Sequence, residues 1–312
     1  MGIPGSKNKI VFNEAHDAIL QTMSRFNAVN WLIFILLTVI WGSSFILMKK
    51  ATEGLSGMQI GAVRIAAAAI VLLPFGIYFL RKIPKNKLLL VILSAFLGTF
   101  FPAFLFAYAI EKNVDSSLAG ILNSLTPLFV VLIGFIFFHA SVQKRKVLGV
   151  IIGFAGLVLL SLSRGSISFE DLGYTLLILL ATFFYGLNVN IVSHKLKAIP
   201  PMPMAAVSLS FIGIPAFIIC LQQEIYALWQ SSADARWSIL ASALLGIIGT
   251  AIATAVFYVL IKRAGGLFAS LVTYGIPVVS IIWGLWDNEN VTALQVACLG
   301  LILGGVYVAN KN

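Results

Sequence analysis

Inside long apolar stretches of the chain a few side chains can still form hydrogen bonds. They are Trp41, Ser43 and Ser44, then Tyr108, Asn123, Tyr185, Asn188 and Asn190, and further on Thr254, Tyr258, Thr273 and Tyr274. None carries a formal charge. Amides, hydroxyls and aromatic faces in this combination suit a zwitterionic or neutral polar solute, with the rings covering its apolar part. The alternative is that Ser, Thr and Asn bond across packed helices or to their own helix carbonyls and never meet a ligand. Both readings stay open for Trp41, Ser44, Tyr108, Asn123, Tyr185, Asn188, Asn190, Thr254, Tyr258 and Tyr274, the candidate cavity lining.

Arg64 is the one formal charge well inside an apolar run, about 9 Å along a helix rising 1.5 Å per residue. It either holds a substrate carboxylate, snorkels to the interface, or bonds carbonyls of a neighbouring helix. Pro127 and Pro277 each remove a backbone hydrogen bond and so mark a gate or a static bend. Gly149-x-x-x-Gly153 and Gly300-x-x-x-Gly304 are small-residue faces for close helix packing, between two spans or across a homodimer; a monomer is equally compatible.

Absences narrow the chemistry further. No Asp or Glu falls deep in an apolar run, which leaves a proton-coupled mechanism without a buried carboxylate. There is no P-loop, and His16, His139 and His194 form no metal-ligand or catalytic constellation with the two cysteines. An enzyme is not expected, and neither a cofactor nor a metal is implied.

The elements that must position these residues follow from hydropathy. With 60% hydrophobic and 10% charged residues, and a mean hydropathy of +1.01, the chain has too few charges for a soluble surface. Apolar runs extend over 31–48, 58–80, 88–110, 117–138, 147–162, 172–192, 205–221, 237–261, 267–286 and 293–308, each long enough to read as a transmembrane helix rather than a barrel strand. The predicted fold is thus an all-α membrane protein of ten spans whose partner is the lipid bilayer. Residues 1–29 read as a polar, disordered tail; 30–163 and 171–310 each contain five spans.

The net charge of +10 does not imply nucleic-acid binding, because the basic residues are scattered between apolar runs instead of forming one face. They set direction. If alternate loops face alternate sides, 15 of the 21 Lys and Arg fall on the side of the N-terminus and 5 on the other, with Arg64 inside a span. The positive-inside rule then places both termini in the cytoplasm, in a cell (inner) membrane. Cys220 and Cys298 sit within apolar runs as small hydrophobes.

The sequence also repeats itself. An offset of 150 superimposes Tyr108 on Tyr258, Ala119 on Ala269, Pro127 on Pro277 and Gly134 on Gly284, and an offset of 144 superimposes Trp41-Gly42 on Tyr185-Gly186. Because each half holds an odd number of spans, the second copy must enter the membrane from the opposite side, giving two inverted five-helix repeats.

Several of these residues together resemble a known family. Trp41-Gly42-Ser43-Ser44-Phe45, Arg64 followed by alanines, the Pro127 and Pro277 helices, and Glu289 followed by Gly300-x-x-x-Gly304 are similar to the drug/metabolite transporter superfamily, EamA type, over roughly 30–310. Each half of that family usually carries a Glu about twelve residues after the proline; Glu289 complies in the second half, but His139 stands in the first. The resemblance implies a ten-helix bundle around a central cavity, and members include amino-acid and metabolite exporters. It also implies a structural role for Arg64, since it includes an arginine there whatever the substrate.

The expected function is secondary transport of a small polar metabolite, an amino acid or related compound, outward, by alternating access. A rival is an antiporter for phosphorylated or nucleotide-linked sugars, for which one cavity cation is thin provision. A rival of another class is a non-transporting scaffold or lipid-handling enzyme. That would want a charged cluster at one interface, whereas Glu111, Asp115, Glu170, Asp171, Asp287 and Glu289 read as spread among different loops.

Overall fold

The computed structural model describes the backbone of residues 5–138, 145, 148–149, 151–153, 155–156, 159 and 169–310. Side chains are described from residue 28 onward within these segments, apart from 169–171, 306 and 309–310. Among these residues every regular element is a helix.

Helix α1 (Gly5–Ala51) begins far ahead of its apolar portion, Ala28–Ala51. No Gly or Pro lies between Ser6 and Trp41 to stop it, so most of the expected tail falls within its backbone. There follow α2 (Gly57–Leu80), α3 (Lys85–Glu111), α4 (Ser116–Phe138), α5 (Leu172–Lys195), α6 (Pro201–Gln222), α7 (Ala233–Ala264) and α8 (Gly266–Trp286). Together with the apolar part of α1, these are eight helices long and apolar enough to cross a membrane. Half of the run predicted over 147–162 lies outside the described residues. The last predicted run forms α9 (Ala293–Asn310), whose apolar portion Ala293–Gly305 is shorter than the other eight.

The bundle shows its apolar side to the surroundings: Leu32, Ile77, Leu89 and Leu221 are among many large hydrophobic side chains that are mostly exposed. In water that would be untenable. In lipid it costs nothing, and the helices associate through close packing instead.

Four of the helices are irregular at mid-length. Proline accounts for one break: Pro127 has no N–H, so the Asn123 carbonyl loses its partner one turn on, and α4 divides into Ser116–Asn123 and Thr126–Phe138. The Thr126 hydroxyl donates to that carbonyl at 2.8 Å. In α8 the division falls at Leu271, between Gly266–Ser270 and Val272–Trp286, and the Thr273 hydroxyl donates to the Ser270 carbonyl at 2.8 Å. The other two breaks are π-helical segments, Phe96–Phe100 in α3 and Leu245–Ile252 in α7. They lie about 150 residues apart, the same offset that aligns Pro127 with Pro277. Such segments concentrate at functional sites because they turn side chains and carbonyls away from the helical register.

Contacts between the halves are exchanged in pairs. A Cβ on Gly42 of α1 would strike Val279 of α8 at 2.5 Å, while one on Gly186 of α5 would meet Phe129 of α4 at 2.8 Å. Gly42 and Gly186 are the partners at offset 144; Phe129 and Val279 are partners at offset 150. The first part of α4 also rests on the later part of α8, with Ser280 against Gly120 and Ser117 against Gly284.

Candidate functional site

The irregular helices surround a cavity at the centre of the bundle. Its lining comes from α1 (Trp41, Ser44, Phe45, Met48), α2 (Arg64), α3 (Gly98, Thr99, Phe106), α4 (Asn123, Thr126), α5 (Tyr185, Asn188, Val189), α7 (Gly249, Thr250, Thr254, Phe257, Tyr258) and α8 (Ser270, Thr273, Ile276). Space for the centres of water-sized molecules amounts to about 90 Å³, several times the roughly 10–15 Å³ that one water needs. The core of this apolar bundle is thus roomy and polar. The π segments of α3 and α7 both reach it, through Gly98 and Thr99 on one side and Gly249 and Thr250 on the other.

Those π segments receive polar side chains from the opposite half. The Trp41 indole donates to the Gly249 carbonyl at 2.9 Å, and a Cβ on Gly249 would sit 3.0 Å from the Ser44 hydroxyl. In the mirror-image position, a Cβ on Gly98 would overlap the Asn188 amide. Ser44 and Asn188 are themselves related by the offset of 144. Glycine at both places therefore lets the first helix of each half approach the third helix of the other.

Arg64 does not snorkel. Its side chain is buried, and its Nε donates to Thr250 Oγ1 at 2.8 Å, tying α2 to the π segment of α7. No other hydrogen bond to the guanidinium is formed among the described residues, so the two terminal nitrogens remain available in a cavity that the side chain lines. Asn188 is also buried, and its Oδ1 has no hydrogen-bond partner among the described residues. The Tyr258 hydroxyl faces Asn188 together with Ser94 and Ser208.

Seven of the ten predicted lining residues thus reach the cavity: Trp41, Ser44, Asn123, Tyr185, Asn188, Thr254 and Tyr258. Three do not. Tyr108 lies at the outer end of α3, exposed, edge-on to Tyr174 and beneath the Lys112 ammonium. Asn190 uses its amide group to bridge the Val130 and Gly186 carbonyls, both at 2.9 Å, and so fastens α5 to α4. Tyr274 is half-buried against the hydrophobic core. Ser43, also considered, accepts a hydrogen bond from Trp283 of α8 at 2.9 Å. Thr99, Thr126, Thr250 and Ser270 line the cavity without having been predicted. A hydroxyl within an apolar run signals its type but not which way it points.

The glycine faces differ from expectation as well. Gly149 and Gly153 meet Gly305, whereas a Cβ on Gly300 or Gly304 would have open space. Gly305, one residue past Gly304, is turned about 100° around the helix and so faces the other way. His139 lies outside the described residues.

A second polar site occupies one end of the bundle. Lys49, at the end of α1, forms ion pairs with Asp287 at 2.7 Å and with Glu289 at 2.8 Å; Lys50 pairs with Asp287 at 2.8 Å and Glu53 at 3.3 Å. The Glu289 carboxylate also accepts from the Ser116 and Ser117 backbone N–H groups, both at 3.0 Å, and from the Ser116 hydroxyl at 2.7 Å. It therefore caps the N-terminus of α4, where free N–H groups and the helix dipole favour an anion. Burial alone would raise its pKa, but Lys49 and the Ser117 and Ser116 donors outweigh that and hold it at about 2. Asp287 is held below the ordinary carboxylate range in the same way, with Lys49 and Lys50 overcoming its partial burial. Nearby, Glu111 accepts from the Gly57 N–H at 2.7 Å. The acids that looked dispersed along the sequence thus include a tight cluster, because loops after α1 and α8 and the start of α4 converge. Met48 lines the cavity and Lys49 follows it directly, so the cluster lies beyond the end of the cavity toward which α1 runs.

A duplicated, all-helical membrane protein with a polar centre defines a class, and comparison with known proteins identifies it. The model of the EamA-like transporter family matches twice, over residues 29–162 and 172–311, and the chain belongs to that family. It is 25% identical over 284 residues to an uncharacterized transporter of Archaeoglobus fulgidus, covering 90% of this chain and 99% of that one. It is 26% identical over 278 residues to the uncharacterized inner membrane transporter YedA of Escherichia coli K12, covering 87% of each. A solved crystal structure matches with a TM-score of 0.63 at 20% identity, covering 91% of this chain and 96% of that one, which supports the fold alone.

Proposed function

We propose that this member of a transporter family carries a small polar metabolite, an amino acid or a related compound, through alternating access of two inverted five-helix repeats. The observation that carries the proposal is the roomy central cavity, lined from both halves by hydroxyls, amides, aromatic rings and one cation inside an otherwise apolar bundle. Polar groups so placed are costly unless they meet water or a ligand. The paired exchange of contacts, Gly42 with Val279 and Gly186 with Phe129, supports two copies facing each other across a pseudo-two-fold axis. In such an arrangement each half adopts in turn the conformation of the other, and the site opens to alternate sides with little net change in energy.

The rest of the reading is drawn from the sequence: ten spans, a cell (inner) membrane location, and both termini in the cytoplasm by the positive-inside rule. On that orientation the Lys49–Asp287–Glu289 cluster lies on the outer side, and a conformation that keeps it intact is closed outward. Export is the direction the family resemblance favours. Purified protein in liposomes, offered a panel of labelled amino acids, sugars and nucleosides, tests the proposal. Movement of an amino acid or related compound above empty vesicles supports it; no movement of any solute overturns it.

A further inference from the structure

Given that transport reading, on which this step rests, we infer that Arg64 binds a carboxylate of the solute and that its unbalanced charge makes the protein exchange solutes faster than it returns empty. Three observations lead there. Among the described residues that line the cavity, Arg64 is the only cation, and none is an Asp or Glu. Its one hydrogen bond among the described residues uses Nε, leaving the terminal fork with no hydrogen-bond partner among them. Across the same cavity, the buried Asn188 Oδ1 lacks a donor among the described residues.

A purely structural arginine would spend its donors on carbonyls, because an unpaired guanidinium in a low-dielectric site is costly. Arg64 spends one. The remaining fork matches the two oxygens of a carboxylate, the geometry for which arginine is suited above lysine. Asn188 Oδ1 then accepts from an N–H or O–H donor elsewhere on the solute. A single guanidinium is matched by a single negative charge, so the geometry fits one carboxylate better than a phosphate carrying two.

The kinetic consequence follows from the same charge. To change the side it faces, the protein must pass through a state in which the cavity is shut off from both solutions. With a carboxylate bound, Arg64 is paired in that state. Empty, it must cross unpaired and partly desolvated, at a higher barrier. Exchange of internal for external solute avoids the empty crossing, whereas net flux requires it.

Reconstituted wild-type protein is tested with labelled amino and hydroxy acids, and with the amide or ester of each. Carboxylates are expected to move at least ten times faster than the amides or esters, in which the carboxyl group no longer carries a charge. Their uptake should rise several-fold when the vesicles are preloaded with the same unlabelled solute. Arg64→Gln should lower carboxylate transport roughly ten- to a hundredfold, the range for losing hydrogen bonds to a charged group. In that variant the difference between acid and amide should vanish. Arg64→Lys should recover part of the rate at raised KM.

The inference is overturned if wild-type protein moves amides as well as acids, or if preloading leaves uptake unchanged. Both are wild-type measurements and hold even if Arg64→Gln fails to reach the membrane. Undiminished acid transport in a well-folded Arg64→Gln would also overturn it. Failure of wild-type protein to move any solute removes the transport reading itself, a separate result from movement without acid preference.

Discussion

The central cavity and the ionic cluster at its end are both polar sites in an apolar bundle, and they are satisfied to very different degrees. At the cluster, Glu289 accepts from a lysine, a serine hydroxyl and two backbone N–H groups, and Asp287 is shared by two lysines. In the cavity, Arg64 keeps most of its donors and Asn188 Oδ1 has no hydrogen-bond partner among the described residues. Saturated networks hold an arrangement in place, since breaking any one link leaves charge exposed to a poor solvent. Donors and acceptors left over, such as the Arg64 terminal nitrogens and Asn188 Oδ1, are available to a ligand. The comparison therefore separates a part that fixes the conformation from a part that receives the solute.

The largest expected effect comes from breaking the saturated site. Glu289→Ala removes one of the two counter-charges of Lys49 and the cap of α4 together, and should destabilise the protein by about 2–4 kcal/mol, the cost of leaving the Ser116 and Ser117 backbone donors unpaired together with the loss of a charged hydrogen bond. Thermal unfolding in detergent measures it. Cysteine labelling near Ser116 should also become faster, reporting an opening of that end. An unchanged melting temperature would mean that the cluster is not fastening the bundle.

Two asparagines two residues apart sharpen the comparison within one helix. Asn190→Ala loses the bond that joins α5 to α4, along with one to its own helix, and should cost about 1–3 kcal/mol by leaving the Val130 carbonyl without its donor. Asn188→Ala removes an amide whose oxygen has no partner among the described residues and whose contact with the Tyr258 hydroxyl is shared by Ser94 and Ser208, so stability should change by less than about 1 kcal/mol while solute transport falls by roughly tenfold or more. If both substitutions destabilise alike and neither affects transport selectively, the division between fastening and receiving groups fails at α5. Gly98→Ala extends the test: its methyl group would displace the Asn188 amide and should lower transport with a stability cost of about 1–3 kcal/mol.

How far the sequence revealed this arrangement depends on what sets each feature. Apolar length reveals a span, and eight of the predicted spans are helices of the required length. Which way a side chain points is harder to read, because in lipid the outward face is as apolar as the core and the usual amphipathic signal disappears. Tyr108 and Tyr258 align in the repeat, yet one lies at the exposed end of α3 and the other is buried in the cavity wall. The π segments were invisible for a related reason: they change the register without changing the composition. The cluster joins Lys49 to Glu289 across 240 residues of sequence, and its members looked like separate loop charges until the helices brought the loops together. Arg64 was legible as an exception to the apolar run, but the partner that keeps it from snorkelling, Thr250, lies in the other half.

The smallest effect expected at physiological pH is that of acid on the cluster, and it still distinguishes the two sites. Glu289 titrates at about 2 in the folded protein against an ordinary value of 4.5. A depressed carboxylate contributes stability that is fully present above its unfolded value and is lost as pH falls toward the folded one. Between pH 5 and pH 8 the stability difference between wild type and Glu289→Gln should therefore stay constant. Below about pH 4.5 it should shrink, continuing to do so toward pH 2, as the wild-type advantage of a charged carboxylate beside Lys49 is withdrawn. Asp287, depressed by the same lysines, titrates in the same direction and adds to the loss of wild-type stability, but it is common to both proteins and largely cancels from the difference. Arg64 in the cavity has no carboxylate partner of this kind, so Arg64→Gln should show no such acid-dependent convergence. Melting curves of the three proteins across that range measure the contrast. A difference between wild type and Glu289→Gln that is already shrinking at pH 6 would show that the cluster holds Glu289 far less firmly than its hydrogen bonds imply.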